Sequence, residues 1–356
     1  MKNQLLDRVQ KYVNTDHFSG VVYIRKENQL ILHKAFGYAH RGLKVSNQIQ
    51  TKFDTASITK VFTAVGILQL VENYGLNLHS KVHDLIDLSH TNIDSHVTIY
   101  QLLTHTSGIG DDADEEAGED YEAIWQSKPN YMMKKTTDYL EQFVYKDANF
   151  PPGEGCRYNN CAYILLGLII EKLTNMSYHD YIRTFIFEKA SMQDTQFGRM
   201  DEVIEGVAEH YVSEYDEQGN VTGYRKNIYS YPFIGSADAG ALTTASDLAL
   251  FLQALAEGKL LNKKYTEQLF KPHELYQKYQ DYSSWMGYGF QYMIHYESEN
   301  IFYRYKDGNN AGVSCTMNVY PENDVTIIIL SNQDSDVWTL ADELQEIVKE
   351  GESIDH

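Results

Sequence analysis

Cysteine, positive charge and long apolar runs are all scarce in this sequence. Only 3 of its 356 residues are cysteine, an odd and sparse set without the spacing of a disulfide framework or a zinc site. Asp and Glu number 50 against 30 Lys and Arg, which gives a formal net charge of −20. Nucleic acids and anionic membranes attract clustered basic residues, so neither is an expected partner. No run of about 18 apolar residues occurs, so no membrane span is expected.

Targeting and cofactor motifs are also missing. The first 20 residues carry scattered charges and lack the apolar segment of a signal peptide, which predicts a cytoplasmic location. Neither a phosphate-binding Gly-x-x-x-x-Gly-Lys nor a Gly-x-Ser-x-Gly elbow is found. The sequence therefore predicts no cofactor, and it does not predict the active site of an α/β-hydrolase.

The sequence contains enough apolar residues to form two domain-sized cores, with 43% hydrophobic and 13% aromatic residues. β-rich runs lie near both ends of the chain, around residues 20–36 and in three runs between 301 and 332. Shorter helical segments fill the middle. This pattern predicts an α/β (α+β) fold in which residues 1–80 and 236–356 form a discontinuous sheet domain, with a mainly helical domain inserted at 81–235.

The first candidate for catalysis is the pair Ser57 and Lys60. It opens a segment, residues 53–75, whose apolar side chains would cover most of a helix circumference, which predicts a buried helix. Residues three apart share a helix face, so the Ser57 hydroxyl and the Lys60 amine can meet. A serine needs a base to become a nucleophile, and a lysine can serve when burial lowers its pKa. We therefore predict that Ser57 is a nucleophile and Lys60 its proton-transfer partner.

The second candidate is the pair Tyr158 and Asn160, in a loop just before the apolar segment 161–173. A tyrosine hydroxyl can pass a proton to a leaving group, and an asparagine amide can hold a substrate carbonyl. The pattern Tyr-x-Asn is common by chance. Its position before an apolar helix is what favours a functional role here.

The third candidate is Lys306-Asp307-Gly308, at the end of a β-rich run. Lys306 could supply a positive field that attracts a substrate anion and helps to keep Lys60 neutral. Gly308 could let a substrate backbone approach closely because it has no side chain. This pattern is also common by chance, and a charged hairpin turn is the simplest alternative.

In this order and context, the three motifs resemble those of the serine β-lactamase and D,D-peptidase (penicillin-binding protein) family. The likeness is closest to the class C branch, which includes D-aminopeptidases and esterases. It spans roughly residues 15–335 and includes the segments FDTASITKVFTA, TIYQLLTHTSGI, FPPGEGCRYNNCAYILLG and SADAGALTTASDLALFLQAL. The resemblance implies a β-lactamase-like fold, with an antiparallel sheet built from both ends of the chain and flanked by helices.

The resemblance also implies a reaction. The protein would be a serine hydrolase that forms an acyl-enzyme on Ser57 and cleaves amide or ester bonds of a small molecule or peptide. Lys60 and Tyr158 would share the proton transfers, and the choice of general base between them stays open. The backbone N–H groups of Ser57 and Asn309 would hold the oxyanion.

Substrate binding would involve Asn160, Lys306 and Gly308, again by resemblance. Asp307 departs from the family pattern, in which threonine or serine is common. A carboxylate there should weaken the binding of an anionic penicillin, unless strand alternation turns it away from the site. The expected activity is therefore ester turnover with negligible β-lactam hydrolysis.

Two histidine patterns suggest other chemistry. His79 and His83 are four residues apart and could share a helix face as metal ligands, but no His-Glu-x-x-His occurs and no metal site is predicted. His105 lies close to Ser107 in sequence, which does not create the geometry of a catalytic triad. We expect His105 to be a structural residue near the site.

Two further expectations complete the sequence analysis. The acidic run at residues 111–120 is predicted to be a solvated loop. A functional alternative from another class is a catalytically weak penicillin-binding or ligand-sensing protein of the same fold. The presence of Ser57, Lys60 and Tyr158 together argues against that alternative, and the sequence makes no prediction about oligomeric state.

Overall fold

A computed structural model describes residues 1–351. Its largest element is an eight-stranded sheet with the order β2-β1-β14-β13-β12-β11-β10-β9, and each neighbouring pair is antiparallel. The strands, in chain order, are β1 Gly20–Lys26, β2 Gln29–Phe36, β3 Tyr38–His40, β4 Val45–Ser46, β5 Phe53–Asp54, β6 Tyr211–Tyr215, β7 Val221–Lys226, β8 Leu242–Thr243, β9 Glu274–Lys278, β10 Tyr282–Met286, β11 Gln291–His295, β12 Ile301–Asn310, β13 Val313–Tyr320 and β14 Val325–Ser331.

Nine α-helices accompany these strands within residues 1–351. They are α1 Lys2–Asn14, α2 Thr59–Tyr74, α3 Ile99–Leu103, α4 Ile124–Ser127, α5 Cys161–Thr174, α6 Tyr178–Ile182, α7 Ala245–Ala256, α8 Lys263–Leu269 and α9 Val337–Glu350. None of the described helices combines the length and the apolarity that a bilayer crossing requires.

The centre of the sheet joins the two ends of the chain. Strand β1 pairs with β14 in a register that runs from Gly20 opposite Ser331 to Lys26 opposite Val325. Every residue of β13 and β14 is buried, which is expected for strands covered on both faces. The predicted antiparallel sheet built from both ends is therefore confirmed.

Each face of the sheet packs on helices. Helices α1 and α9 cover one face, where side chains such as Leu5 and Leu344 pack against Ile327 and Ile329. The other face contributes residues such as Met317 to a larger core that includes α2, α5 and α7. Burial of apolar area on both faces is the main stabilising contribution, at about 25 cal/mol per Å².

Helix α2 is the buried helix predicted after Ser57. Twelve of its 16 residues are buried, including Lys60. A 3-10 turn at Ala56–Ile58 leads into it, and Gly75 ends it in the left-handed conformation, at φ 70°. Because α2 is fixed on nearly all sides, the residues at its beginning have a rigid support.

Several elements differ from the sequence prediction. The middle of the chain contains a hairpin, β6–β7, and three short strands, β9 to β11, extend the sheet beyond the three predicted runs. These strands are rich in polar and aromatic residues and lack clear apolar alternation, so periodicity does not reveal them. The third motif lies within β12 rather than after it. The division into domains at 1–80 with 236–356 and at 81–235 stays a prediction.

Candidate active site

Ser57 lies in the 3-10 turn at the start of α2, partly accessible to solvent. The preceding residue, Ala56, has φ of 42°, a conformation that is costly for a residue with a side chain. The Asp54 carboxylate accepts the Ala56 N–H at 2.7 Å and the Tyr231 hydroxyl at 2.7 Å, which holds this turn in place. The backbone before Ser57 is thus strained and fixed by a buried carboxylate.

Lys60 is fully buried one helical turn from Ser57. Its Nζ lies 3.0 Å from Ser57 Oγ, 2.7 Å from Asn160 Oδ1 and 3.0 Å from the Asp238 carbonyl oxygen. Burial lowers the pKa of Lys60, although the negative charges of Asp238 and Glu115 oppose that shift. A lysine in this environment loses its proton more easily than a lysine in water.

The three contacts of Lys60 suit a neutral amine. A neutral amine has two N–H donors and one lone pair, and the Asn160 and Asp238 oxygens can only accept. If they take both donors, the lone pair faces Ser57 Oγ, whose hydroxyl can donate. The geometry therefore allows Lys60 to remove the proton of Ser57.

Tyr158 stands between the two buried lysines of the site. The centroid of its ring lies 5.0 Å from Lys60 Nζ and 4.5 Å from Lys306 Nζ, and Lys306 donates a hydrogen bond to its hydroxyl at 3.2 Å. Burial raises the pKa of Tyr158 well above its ordinary value, while its hydrogen bond with the Ser57 side chain lowers it less strongly. The hydroxyl thus stays protonated and can act as a proton donor.

The Tyr158 ring is also fixed from behind. His105 stacks on it at 4.6 Å and on Tyr163 at 5.3 Å, and His105 Nδ1 accepts the Asn159 N–H at 3.1 Å. Burial lowers the pKa of His105 well below its ordinary value, which keeps the ring neutral. The structure places His105 behind the site, as expected for a residue that supports Tyr158.

Lys306 and its neighbours alternate between the two faces of β12. Lys306 is buried on the face of Ser57, where it contacts Tyr158 and, at 3.4 Å, Gln291 Oε1. Asp307 instead accepts a hydrogen bond from Thr316 Oγ1 at 2.7 Å and interacts with Trp338 on α9, which covers the opposite face. Strand alternation therefore turns the Asp307 carboxylate away from the site.

Gly308 packs closely against the turn that leads to Ser57. A Cβ at this position would overlap the carbonyl oxygen of Thr55, in the turn that leads to Ser57. The close packing of β12 against that turn therefore requires a glycine, and the approach of a substrate backbone to Gly308 stays a prediction.

Ser57 lies where two clefts meet. One cleft, of about 480 Å³, includes Asp238, Ala239 and Arg225 in its lining, and the other, of about 250 Å³, includes Tyr158 and Lys306. Ser57, Glu115 and Asn309 line both clefts. Ser57 and Asn309 therefore border the same space, and an oxyanion held there by their backbone N–H groups stays a prediction.

The acidic run at 111–120 forms a wall of the site, and the predicted solvated loop is found only in part, because residues 115–120 are exposed whereas Asp111 and Ala113 are buried. Asp111 is buried and accepts the backbone N–H groups of Asn160 and Cys161, at 2.9 and 3.0 Å. A carboxylate is stabilising at a helix N-terminus, here that of α5. Glu116 accepts the Tyr158 N–H at 2.9 Å and the Tyr276 hydroxyl at 2.7 Å. These partners come from distant parts of the chain, so the local charge pattern could not reveal them.

The two histidines considered as metal ligands have other partners. His79 packs near the Tyr100 ring at 5.6 Å, and a ring nitrogen of His83 lies 2.9 Å from the Ile93 carbonyl oxygen. Neither belongs to a described group of three or more possible metal ligands. The motif residues Ser57, Lys60 and Tyr158, by contrast, lie together.

Comparison with known proteins identifies the family of this chain. The family model described as Beta-lactamase matches residues 5–350. The chain belongs to the beta-lactamase family. Within the family, it is 30% identical to penicillin-binding protein 4* of Bacillus subtilis (strain 168) over 332 residues, which cover 90% of this chain and 69% of that protein. The next curated relatives, named protein flp, are matched over less than half of their length.

Solved structures of beta-lactamase-fold proteins superpose over nearly the whole chain. A penicillin-binding protein from Bacillus halodurans is similar with a TM-score of 0.87 and 30% identity, covering 96% of this chain and 99% of that one. A D-amino acid amidase from Ochrobactrum anthropi has a TM-score of 0.78 at 21% identity, covering 99% of this chain and 100% of that one. The second likeness shows the fold alone. The family and fold expected from the three motifs are confirmed, and a hydrolase is supported at this coarse level.

Proposed function

We propose that this protein is a serine hydrolase that forms an acyl-enzyme on Ser57 and cleaves amide or ester bonds of small molecules or peptides. The observation that carries the proposal is the contact between Ser57 Oγ and the buried Lys60 Nζ at 3.0 Å, with Tyr158 and Lys306 beside it. The buried amine supplies the base that a serine nucleophile requires.

The proposed reaction has two stages. In acylation, Ser57 Oγ bonds to the substrate carbonyl carbon while its proton passes to neutral Lys60. The bond from that carbon to the leaving nitrogen or oxygen then breaks, and Tyr158 protonates the leaving group. Lys60 returns its proton to the site through Tyr158. In deacylation, water adds to the acyl carbon, the bond from that carbon to Ser57 Oγ breaks, one proton of the water passes to Ser57 Oγ, and the acid product leaves.

The raised pKa of Tyr158 supports this division of roles. A phenol with a raised pKa stays protonated near neutral pH, so Tyr158 has a proton to give and cannot take one from Ser57, whereas burial favours the neutral, basic form of Lys60. We therefore assign general-base catalysis to Lys60 and leaving-group protonation to Tyr158.

The position of Asp307 changes the expectation about substrates. The carboxylate was expected to repel an anionic substrate, but it faces α9 and bonds to Thr316. Its side chain therefore gives no reason to disfavour a penicillin or a peptide with a free carboxyl end. We propose that Lys306 binds such an anion, and that amides, esters and β-lactams are all candidate substrates.

Intact mass measurements test the proposal. The protein is incubated with a penicillin, a p-nitrophenyl ester or a fluorophosphonate, and adduct and product are followed together, with Ser57→Ala as the control. We expect a fluorophosphonate adduct and ester turnover that both disappear in Ser57→Ala. An adduct that survives this substitution would contradict the nucleophile assignment. A stable penicillin adduct without turnover of any substrate would favour the ligand-sensing alternative.

A further inference from the structure

The two ends of the Asn160 side-chain amide have different partners. Its Oδ1 accepts a hydrogen bond from Lys60 Nζ at 2.7 Å, and its Nδ2 donates to Glu115 Oε1 at 2.9 Å. The backbone N–H of Asn160 is held separately by Asp111. The two ends of an amide have nearly the same shape, so hydrogen-bond partners decide which end faces which neighbour.

The protonation state of Lys60 determines how firmly Lys60 holds the Asn160 amide with its Oδ1 toward the amine. A charged Lys60 has only donors and therefore selects Oδ1 of Asn160. A neutral Lys60 also has a lone pair, which could accept a hydrogen bond from Nδ2 after the amide flips. That flipped state would occupy the lone pair that has to face Ser57 in the reactive form.

Glu115 prevents this flip from the other side. A carboxylate has acceptors and no donor, so it bonds to Asn160 only when Nδ2 points toward it. Within residues 1–351 this is the recorded side-chain hydrogen bond of Glu115, and its carboxylate has no described ion-pair partner. Glu115 is exposed and lines both clefts beside Ser57.

We propose that Glu115 is a positioning residue that locks the Asn160 amide and thereby directs the lone pair of neutral Lys60 toward Ser57. This inference rests on the proposed function, because it assigns Glu115 a part in activating the same nucleophile. Glu115 acts through Asn160 and is not itself a proton carrier.

Two substitutions of Glu115 distinguish its effect on the position of Asn160 from the effect of its charge. Glu115→Ala removes both the carboxylate charge and the acceptor for Asn160 Nδ2, whereas Glu115→Gln keeps an oxygen that can accept and removes only the charge. With a p-nitrophenyl ester we expect kcat of Glu115→Ala to fall by about 10- to 100-fold with KM nearly unchanged, because a misplaced reacting group costs about this much. We expect Glu115→Gln to recover most of that loss.

The pH profile reports the charge effect separately. The negative charge of Glu115 raises the pKa of Lys60, so both substitutions should move the acidic limb of kcat/KM toward lower pH. Glu141→Ala is the matched control, since it removes one carboxylate whose side chain is 83% exposed and lies outside both clefts. The control should leave kcat and the pH profile unchanged.

A double-mutant cycle with Asn160 decides whether the effect passes through the amide. If it does, Glu115→Ala should have little further effect on kcat in an Asn160→Ala background. Full additivity of the two substitutions, or equal losses in Glu115→Ala and Glu115→Gln, would overturn the proposal. Turnover that persists in Ser57→Ala would instead contradict the proposed function, so the two failures are distinguishable. Thermal unfolding of each variant checks that the fold is intact.

Discussion

Lys60 and Lys306 are both fully buried beside Ser57 and Tyr158, yet their surroundings differ. Lys60 contacts the Ser57 hydroxyl and two carbonyl-type oxygens, and the carboxylate of Asp238 partly offsets the effect of burial on its pKa. Lys306 contacts Tyr158 and Gln291, and burial together with the charge of Lys60 lowers its pKa to about 7. A positive charge on one of these two amines therefore makes protonation of the other less favourable.

The difference indicates a division of work. Lys60 has the contacts of a base that acts on Ser57, and Lys306 has those of a cation that acts on Tyr158 and on a bound anion. Because like charges repel each other, the charged form of one amine makes the neutral form of the other more favourable. Substitution of either lysine tests this assignment of roles.

Replacement of Lys60 should have the largest effect. In Lys60→Met, Ser57 loses its base, so we expect kcat/KM for a p-nitrophenyl ester to fall by about 10³- to 10⁴-fold. The fluorophosphonate labelling rate should fall in parallel while the fold stays intact by circular dichroism. A loss smaller than tenfold would mean that Lys60 is not the base and would favour Tyr158 in that role.

Replacement of Lys306 should have a smaller effect that depends on pH. We expect kcat/KM of Lys306→Met to fall by about 10- to 100-fold at pH 6, where the wild-type amine is charged. In the wild-type protein, activity that depends on this charge should decline as the pH rises through about 7. The difference between the two proteins should therefore shrink at higher pH. A constant ratio between pH 5.5 and 9 would contradict this assignment.

The same substitution should stabilise the protein. Folding lowers the pKa of Lys306 from 10.5 to about 7, so the unfolded chain binds the proton more tightly between these values. The wild-type free energy of unfolding should then rise as the pH increases from 7 to 10.5. Urea unfolding of Lys306→Met should show a gain on the order of a few kcal/mol at pH 6 that shrinks as the pH approaches 10.5. Equal pH dependence in the two proteins would show that Lys306 titrates as an ordinary lysine.

Asp307→Asn should have the smallest effect on activity, although it changes the residue next to Lys306. Its carboxylate bonds to Thr316 on the opposite face of the sheet, so we expect kcat/KM to change by less than about threefold. Gly308→Ala is the adjacent contrast, because its new Cβ would collide with Thr55 and displace the turn before Ser57. A large gain in penicillin binding by Asp307→Asn would mean that the carboxylate reaches the site after all.

How much of this site could be predicted depends on where each partner lies in the chain. Ser57 and Lys60 lie three residues apart where the 3-10 turn leads into α2, so their spacing in the sequence was enough to predict their contact. Tyr158 and Lys306 needed the family resemblance, because sheet and helix packing brings them to Ser57 from 101 and 249 residues away. Neither approach identified Glu115.

Other contacts carry no sequence signal. Lys60 bonds to the backbone oxygen of Asp238, which any residue would provide, and Gln291 belongs to a strand without clear alternation. Only the start of the acidic run departs from the prediction: charge predicts solvent exposure, but Asp111 is buried and accepts hydrogen bonds from the backbone at the start of α5. The fold itself was more predictable, since apolar runs at both ends have few ways to be buried other than in one sheet.

The pairing of β1 with β14 has a consequence for the timing of activity. Strand β1 can pair with β2 at once, but its other neighbour, β14, requires residues 325–331, and Lys306 also lies far from β1 in the sequence. Contacts between such distant segments form slowly, because a long loop must close before they are made. A ribosome that has synthesised Ser57, Lys60 and Tyr158 would therefore carry a nascent chain with three of the four central groups and no working centre. The proposed catalysis therefore requires that residues 306–331 have been synthesised and have joined the sheet.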